Sequence, residues 1–516
     1  MTALLTRPTG AAAKVIDLFC GYGGTSGGVV AAGGDLILAS NHDDHAIDVH
    51  AANHPHTEHV RADLLDETAA RYVDPITLPP CTVLTASPSC RHHSKANAKS
   101  IYRHGPTLFN YDHPADSDER YAASERSRTT MLCPLRYAAH HQPEAIIVEN
   151  VVEAAFWGDH RDGSTFRWWL NQWRDIGYDA ELLFLNSGFF PPCPQSRDRM
   201  YMVFWKRGNR RPDLRHRPDA YCSSDRCGGQ WQTAAQSWRP RKKGWPLERW
   251  GKWGQQYDYR CTACGQVVTP VAWPAATAID FTDLGPTLAE RDRPLKPKTL
   301  ARIERGVNHF ADWPPVVVDQ ATGAIHAYVA PFAGNTYERP GQVRGRHALQ
   351  QLFSQTGTLE HGLVALVTAG FAKFNGGPGD TAWHGTGDQL GTVTARDTTG
   401  LMSFTMPLVH ANSDDRYRHV FEQLATLTTA RERYLTVAAA GYEAGALDPD
   451  RVHFRMLKPH TELRAAMAFP EDFILAGTKT QVTKGLGNAV TPPVAEWITR
   501  RVFTALDAQA AGEVAA

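Results

Sequence analysis

The sequence predicts an α/β fold in which a mostly parallel sheet carries helices on both faces. Short apolar runs rich in β-branched residues recur along the first 205 residues, helical stretches separate some of them, and polar or glycine-rich turns follow them. Strands that alternate with helices form parallel sheets, and such sheets bind ligands beyond the carboxyl ends of their strands. At 516 residues the chain is too long for one ordinary core, so at least two domains are expected.

Composition excludes several classes of protein. Hydrophobic residues make up 42% and charged residues 21% of the chain, as in soluble globular proteins, and the formal net charge is zero. No apolar run approaches the roughly 20 residues that span a bilayer, and the N-terminus lacks the apolar core of a secretion signal. Nine cysteines are too few for a disulfide framework. We therefore expect a cytoplasmic protein without membrane contact.

The first predicted strand, Lys14 to Phe19, runs into a glycine-rich turn between Cys20 and Gly28 that leads into a helix. This strand, turn and helix resemble the start of a Rossmann-like nucleotide-binding unit. Glycines let the backbone approach a ligand closely, and the helix N-terminus offers free N–H groups. Glycines also occur in such turns for geometry alone, so the turn by itself is a weak signal.

Polar residues follow the next two predicted strands. The second strand, Asp35 to Ala39, is followed by His42 and Asp43 at the point where an acidic residue commonly holds ribose hydroxyls. Either residue is a candidate for that contact. Asp63 follows the third strand and is expected to face the base of a nucleotide-like ligand.

The fourth strand, Thr82 to Ala86, ends in a small-residue turn that carries Cys90. Its basic neighbours, Arg91 to His93, favour the thiolate, which is a strong nucleophile. The alternative, a buried and inert cysteine on a strand-end loop, is equally compatible with this stretch alone. Residues 95–128 are polar, which is typical of a mobile loop over a site.

A β-branched run ending at Glu149 predicts a further parallel strand with a carboxylate at the same sheet edge as Cys90. A solvated strand-end acid is the simpler alternative. A hairpin-like pair of strands follows, and Arg197 and Arg199 share one face at the start of its second strand. Beside a cysteine and a carboxylate, two such arginines are suited to holding a substrate.

Four cysteines form two closely spaced pairs with 33 residues between the pairs. This spacing predicts a structural zinc ribbon near residues 221–265, and four unlinked thiols are the alternative. The surrounding stretch, Arg197 to Arg260, has 16 basic and 6 acidic residues, and five of its six tryptophans lie between residues 231 and 253. It fits phosphate contact and base stacking, or else a small aromatic core with a basic face. The predicted zinc ligands are Cys222, Cys227, Cys261 and Cys264.

Taken together, these motifs resemble those of the DNA cytosine carbon-5 methyltransferases. The matching stretches are DLFCGYGG (17–24), SPSC with Ser94 (87–94), ENV (149–151), PQSRDR (194–199), RMLKPHTELRAAMAFPEDF (455–473) and GLGNAVTPPVA (485–495). They occur in the order that the family has. The resemblance implies a Rossmann-like, S-adenosylmethionine-dependent methyltransferase domain and a smaller, β-rich target-recognition domain. Two departures stand out: Ser89 occupies the position of a family proline, and His42 that of a ribose-binding glutamate.

The resemblance also implies the roles of individual residues. Cys90 would add to carbon 6 of cytosine, Glu149 would share a proton with ring nitrogen 3, and Arg199 with Arg197 would hold the carbonyl oxygen. The group that removes the carbon-5 proton has no candidate. The implied S-adenosylmethionine contacts are Phe19, Cys20, Gly21, Gly23, Gly24, Thr25, Asn41, His42, Asp43, Asp63, Leu64, Pro88, Asn488 and Val490.

We expect residues 1–205 and 455–516 to form the catalytic domain and residues 206–454 to form the target-recognition domain. The expected partner is double-stranded DNA, bound by a monomer; a cognate restriction enzyme would act on the same site without direct contact. An RNA cytosine methyltransferase is the alternative within the class, although the long basic insert favours DNA. A binding protein that has lost catalysis, and an enzyme that transfers a group other than methyl, are further alternatives.

Overall fold

The computed structural model describes residues 12–89, 126–158, 161–309, 350–352, 449–450 and 452–512, and individual strands between residues 316 and 438. Cys90 and residues 95–125 of the predicted polar loop lie outside the described residues. In the described part of the chain, no helix has both the length and the apolar character that a membrane span requires.

Seven strands form the main sheet in the order β3-β2-β1-β4-β5-β7-β6. Strands β1 to β5 pair in parallel, whereas β7 runs antiparallel to both β5 and β6. This mostly parallel sheet confirms the predicted α/β fold. The strands are β1 (Lys14–Leu18), β2 (Asp35–Asn41), β3 (Glu58–Arg61), β4 (Val83–Ala86), β5 (Ala145–Asn150), β6 (Tyr178–Asn186) and β7 (Asp198–Lys206).

The strand order reverses between β1 and β4, and this reversal creates a crevice at the carboxyl ends of the parallel strands. Strand β5 is buried along its whole length, as expected for a continuous apolar run in the middle of a sheet. Because β7 is antiparallel to β5, it begins at the edge where β5 ends. The topology therefore brings the end of β5 and the start of β7 together.

Helices cover the sheet, and local sequence signals set their ends. Asp43 caps one helix by accepting a hydrogen bond from the Ala46 amide (3.2 Å), and Thr478 with Gln481 forms a capping box on another. The helices are α1 (Gly24–Ala31), α2 (Asp44–Asn53), α3 (Leu132–His141), α4 (Ser164–Asp175), α5 (Pro297–His309), α6 (Arg464–Ala466), α7 (Lys479–Asn488) and α8 (Pro492–Ala510).

The C-terminal helices pack against the first turn and helix of the chain. A Cβ at Gly28 of α1 would lie 2.6 Å from the Cβ of Ala495, so α1 and α8 are in close contact at this glycine. Tyr22 lies against Gly485 of α7, and its hydroxyl donates to the carbonyl of Gln481 (2.9 Å). The two ends of the described chain are thus in direct contact.

The insert between β7 and the C-terminal helices is rich in β-structure, as predicted. A four-stranded antiparallel sheet comes first, in the order β11-β10-β9-β8. Its strands are β8 (Asp219–Cys222), β9 (Gln230–Trp238), β10 (Tyr257–Cys261) and β11 (Val267–Val268). We call residues 219–268 the cysteine module.

The remaining described strands of the insert form three further antiparallel sheets. One runs β12-β13-β15-β22, with β14 paired to β13; the others run β17-β16-β18 and β20-β19-β21. The strands are β12 (Val316–Val317), β13 (Ala324–Pro331), β14 (Arg346–His347), β15 (His361–Val367), β16 (Gly370–Phe374), β17 (Thr381–Gly385), β18 (Thr398–Gly400), β19 (Ser403–Pro407), β20 (Arg418–His419), β21 (Tyr434–Ala438) and β22 (Val452–Met456).

Candidate functional site

A carboxylate and a guanidinium meet where β5 ends and β7 begins. Arg199 Nε lies 3.1 Å from Glu149 Oε1, and both side chains are largely buried. Burial raises the pKa of the Glu149 carboxyl above its ordinary value, and the positive charges of Arg199 and Arg197 offset part of that rise. The pair is therefore suited to share a proton with a substrate group and to hold the negative charge that develops on it.

The turn that leads to Cys90 is fixed by bonds from three sides. Ser87 donates its amide to the carbonyl of Leu18 (3.0 Å), and Asn150 Nδ2 donates to the carbonyl of Pro88 (3.3 Å). The Ser89 amide donates to Thr130 Oγ1 (3.2 Å). Asn150 is the residue after Glu149, so the same strand end anchors the turn and supplies the carboxylate. Cys90, the predicted nucleophile, is the next residue of the chain and lies outside the described part.

Arg197 has a different set of partners from Arg199. Its side chain is 2% exposed, and its Nη2 donates to the carbonyls of Gly487 (3.1 Å) and Ala489 (2.9 Å). These carbonyls belong to the end of α7 and the turn before α8. Arg197 therefore ties the predicted cofactor-binding residues Asn488 and Val490 to the start of β7. The structure brings Glu149 and Arg199 together, and Arg197, whose charge also acts on Glu149, is bonded to this C-terminal turn.

The glycine-rich turn serves two purposes. Phe19, Gly21 and Gly23 have positive φ angles (59°, 54° and 87°), and the space beside Gly21 is open, as close approach of a ligand requires. In contrast, a Cβ at Gly24 would lie 1.9 Å from the carbonyl oxygen of Val490. One face of the turn is thus free for a ligand, while the helix start is needed for packing against the C-terminal segment. Cys20 and Thr25, the other predicted contacts of this turn, are buried.

At the end of β2 the two candidates for the ribose contact differ in their engagement. The Asp43 carboxylate caps α2 and also pairs with Lys484 (3.0 Å), whereas the His42 side chain is exposed. Asn41 Oδ1 accepts a hydrogen bond from the Asp43 amide (3.0 Å). Of the two candidates, His42 therefore has the more exposed side chain.

The residues after β3 form a turn that closes on itself. Asp63 Oδ1 accepts the amides of Leu65 and Asp66 (both 2.9 Å), and Leu64 is buried. Asp63 is half-buried, and part of its hydrogen-bonding capacity is already used within the turn.

A small cavity lies between Thr25 of the glycine-rich turn and the Glu149 carboxylate. Thr25 and Val490 line it on one side, and Glu149 and Tyr201 line it on the other. Tyr201 was not identified from the sequence, because it lies inside an apolar strand whose pattern indicates only core. Its pairing with Glu149 across β5 and β7 gives it this position.

A chain of buried polar side chains beneath the glycine turn also had no sequence signal. Ser26 Oγ donates to Asp17 Oδ2 (2.6 Å) and lies 2.8 Å from His50 Nε2; His50 Nδ1 in turn lies 2.8 Å from His59 Nε2. Burial raises the pKa of Asp17 to about 6 and lowers that of His50 to about 2. These hydrogen-bonded side chains hold the glycine-rich turn from its buried side.

The four predicted cysteines come together in the cysteine module. Their sulfur atoms all lie within 4.8 Å of one another; the Cys222–Cys264 distance is 3.5 Å and the Cys227–Cys261 distance 3.8 Å. Tetrahedral zinc–thiolate geometry places sulfur atoms about 3.8 Å apart. A backbone N–H lowers the pKa of Cys264 to about 6, whereas burial raises that of Cys222. The donor set fits a structural zinc ion, whose charge would favour all four thiolates.

The tryptophans of the basic stretch lie in packed positions rather than on the surface. Each is buried or half-buried, and several pack against the catalytic sheet. Trp253 and Trp238 contact Phe189 and Phe184 edge to face, with ring centroids 4.9 and 5.5 Å apart. This arrangement favours the aromatic-core interpretation of the stretch. Composition alone does not separate the two interpretations, because tryptophan serves packing and stacking equally. The five are Trp231, Trp238, Trp245, Trp250 and Trp253.

Comparisons with known proteins agree with the motif order. The family model described as C-5 cytosine-specific DNA methylase matches residues 13–224 and 391–504, more than half of the chain. The DNA-cytosine methyltransferase of Escherichia coli (strain K12) is 27% identical over 219 residues, 38% of this chain and 42% of the relative. The Type II methyltransferase M.HgiBI of Herpetosiphon aurantiacus is 29% identical over 190 residues, 37% of this chain and 36% of the relative. The matches thus span less than half of either relative.

Solved structures of similar overall extent also match. The methyltransferase EhMeth of Entamoeba histolytica aligns with a TM-score of 0.41 and 10% identity, covering 96% of this chain and 98% of the other. The Dnmt2 methyltransferase of S. pombe aligns with a TM-score of 0.37 and 13% identity, covering 96% and 99%.

Proposed function

Because the chain belongs to the C-5 cytosine-specific DNA methylase family, we propose that it transfers a methyl group from S-adenosylmethionine to carbon 5 of cytosine in a specific DNA sequence. The observation that carries this proposal is the buried Glu149–Arg199 pair, whose carboxylate lines a small cavity together with Thr25 of the glycine-rich turn. A proton-sharing carboxylate and a charge-holding guanidinium beside a cofactor cradle are what this transfer requires. The similarity to the DNA-cytosine methyltransferase of Escherichia coli supports the same reaction.

We assign the nucleophile to Cys90. Carbon 5 of cytosine is too weak a nucleophile to take a methyl group directly, and addition of a thiolate to carbon 6 makes it enamine-like. After the transfer, loss of the carbon-5 proton lets the carbon–sulfur bond break and releases the thiol. The assignment is supported by the turn of Ser87 to Ser89, which immediately precedes Cys90 in the chain and is fixed at the sheet edge where β5 ends.

Glu149 and Arg199 act on the ring while the thiolate adds. The Glu149 carboxyl holds a proton at ring nitrogen 3, and the elevated pKa of this buried group supports that role. Arg199 binds the carbonyl oxygen and balances the charge that spreads over the ring. We propose that Arg197 is a positioning residue, since its Nη2 holds carbonyls at the end of α7 and in the turn that follows.

The cofactor cradle is assigned to the ends of β1, β2 and β4 and to the C-terminal turn. S-adenosylmethionine supplies the methyl group when it is bound there. The open face at Gly21 fits its close approach. We assign the ribose contact to His42, because Asp43 is engaged with α2 and Lys484.

The DNA substrate and the biological setting follow from the same assignment. A cytosine in a duplex must leave the base stack before it reaches a buried pair, at a cost of roughly a few kcal/mol. We propose that residues 206–454 select the sequence, as part of a modification system like that indicated by the name of M.HgiBI. A monomer acting in the cytoplasm, with a restriction enzyme that acts independently on the same site, completes the proposal.

We also propose that the cysteine module holds one structural zinc ion. The sulfur geometry of its four cysteines supports this assignment. The ion would stiffen the module, and no step of the reaction is assigned to it.

Trapping on DNA that contains 5-fluorocytosine tests the proposed function. Fluorine cannot be lost as a cation, so with S-adenosylmethionine present the enzyme should remain covalently bound to the DNA. The Cys90→Ala variant is the matched control and should form no adduct. If the adduct forms on RNA but on no DNA of mixed sequence, the substrate is RNA rather than DNA. Cofactor binding without any adduct would instead show a binding protein that has lost catalysis.

A further inference from the structure

The loop between β9 and β10 of the cysteine module reaches the main sheet beside the Glu149–Arg199 pair. We call residues Trp250 to Trp253 the buttress loop. The loop contacts the segment that follows Glu149 and the residue that precedes Arg199, so it touches the supports of both members of the pair.

On the side of Glu149, two buried contacts hold the turn after β5. Trp250 Nε1 donates to the carbonyl of Val152 (2.7 Å), and the Trp250 ring packs edge to face on Phe156 with centroids 4.8 Å apart. Lys252 Nζ lies 2.9 Å from Glu153 Oε1, a carboxylate that is only 6% exposed. A buried carboxylate is costly without a partner, so Lys252 is needed for this turn to keep its place.

On the side of Arg199, the loop holds the residue at the start of β7. The Trp253 amide donates to Asp198 Oδ1 (3.0 Å), which also accepts Asn186 Nδ2 (3.1 Å). Arg199 Nη1 then donates to the carbonyl of Asp198 (2.8 Å), and its Nε faces Glu149. Asp198 thus connects the buttress loop to the orientation of the Arg199 guanidinium.

The loop is fixed within its own module. Trp253 forms a bridge with Tyr257, the first residue of β10, and Gly254 donates its amide to the carbonyl of Tyr257 (2.9 Å). Strand β10 ends at Cys261, one of the four clustered cysteines. The cysteine cluster and the loop therefore belong to one continuous support.

We propose that the buttress loop is a positioning element for the reaction, with Trp250 and Lys252 as positioning residues that hold the Glu149–Arg199 pair in its reactive geometry. This inference rests on the proposed function. It adds a role in turnover to the part that residues 206–454 have in selecting the sequence. Small misplacements of a catalytic group are enough for a large effect, since a shift of about 1 Å costs up to about 100-fold in rate.

Steady-state kinetics of Trp250→Phe and Lys252→Met test the role. Trp250→Phe keeps an aromatic ring and loses the N–H donor, and Lys252→Met keeps the stem and loses the charge. Trp231→Phe is the matched control, because Trp231 packs on Tyr221 within the module (ring centroids 5.9 Å apart). We expect kcat to fall about tenfold or more in both test variants, with KM for DNA and the Kd for S-adenosylmethionine within about twofold of the parent protein.

Two further readouts separate positioning from general stability. In the test variants, looser contact between Arg199 and Glu149 should move the basic limb of the kcat–pH profile to higher pH. The reason is that the Arg199 guanidinium lowers the pKa of Glu149. Amide hydrogen exchange of residues 149–156 and 198–201 should speed up in the test variants and not in Trp231→Phe. A rise in KM for DNA at constant kcat would overturn the proposal, as would equal kcat losses in the control.

The exchange measurement also keeps this inference separate from the proposed function. If the parent protein forms no adduct on any nucleic acid while both test variants loosen residues 149–156, the proposed function fails and the support by the loop stands. If exchange is unchanged in both variants, the loop does not support the pair, whatever the reaction.

Discussion

Replacing Gly24 by alanine should push the C-terminal turn out of the cofactor cradle. A Cβ at this position would lie 1.9 Å from the carbonyl oxygen of Val490, whereas real Cβ contacts stay beyond 3.0 Å. The backbone of Val490 must therefore retreat by about 1 Å, and overpacking of this kind costs about 1–3 kcal/mol. Because the added atom meets backbone rather than a flexible side chain, a change of rotamer cannot relieve the contact.

Gly27, three residues further along the same helix, is the matched control. An added Cβ there meets nothing within 4 Å, so Gly27→Ala should gain about 0.5–1 kcal/mol from helix propensity alone. Urea midpoints of the two variants should move in opposite directions, and isothermal titration should show weaker S-adenosylmethionine binding for Gly24→Ala only. Equal midpoints together with equal cofactor affinity would refute the close approach of Val490 to the glycine turn.

Three other changes have defined outcomes. Burial raises the pKa of Glu149, so activity that needs its proton should be lost as pH rises through that pKa. The Glu149→Gln variant should lower kcat at least about 100-fold and retain its DNA affinity in filter binding. Full activity of this variant would contradict the role of Glu149. The Arg197→Met variant removes the Nη2 donor from two carbonyls and should lower the free energy of unfolding in urea by about 2 kcal/mol or more. Arg197→Lys should recover part of this loss. An unchanged urea midpoint would argue against a stabilising role of the bonds between Arg197 and the C-terminal turn. Treatment with a mercurial thiol reagent should release one zinc ion per chain in a colorimetric metal assay. The Cys227→Ser variant should release less zinc. A metal-free protein in which the four clustered cysteines react as free thiols would exclude the zinc site.

The fold was predictable because the strands of the main sheet are apolar runs with polar ends. Strand β5 is buried throughout, and its run of β-branched residues is visible in the sequence without any knowledge of its neighbours. The antiparallel pairing of β7 with β5 is what brings Arg199 to Glu149, and the motif order predicts that meeting. The cysteine cluster was also predictable from local sequence, because the two cysteines of each pair are close together in the chain at a spacing that zinc ligands have.

The supports of the site were not predictable, because they depend on contacts between distant parts of the chain. Nothing in the sequence around Arg197 indicates that its guanidinium binds carbonyls of the C-terminal turn. The bond from Trp250 to the carbonyl of Val152 likewise joins a module to a strand end with no shared motif. The roles of the tryptophans could not be fixed either, because an aromatic side chain in a basic stretch is suited to a packed interface and to base stacking alike.

The bond between Tyr22 and Gln481 has a consequence for synthesis of the protein. It joins the glycine turn to a residue 459 positions further along the chain. At about 5–20 residues per second, a ribosome needs roughly 25–90 s to make the chain between them. Throughout that interval the turn lacks its C-terminal partner, so we expect a nascent chain arrested before Gln481 to bind no S-adenosylmethionine. The first strand pairs of the main sheet would remain partly exposed until the last helices are made.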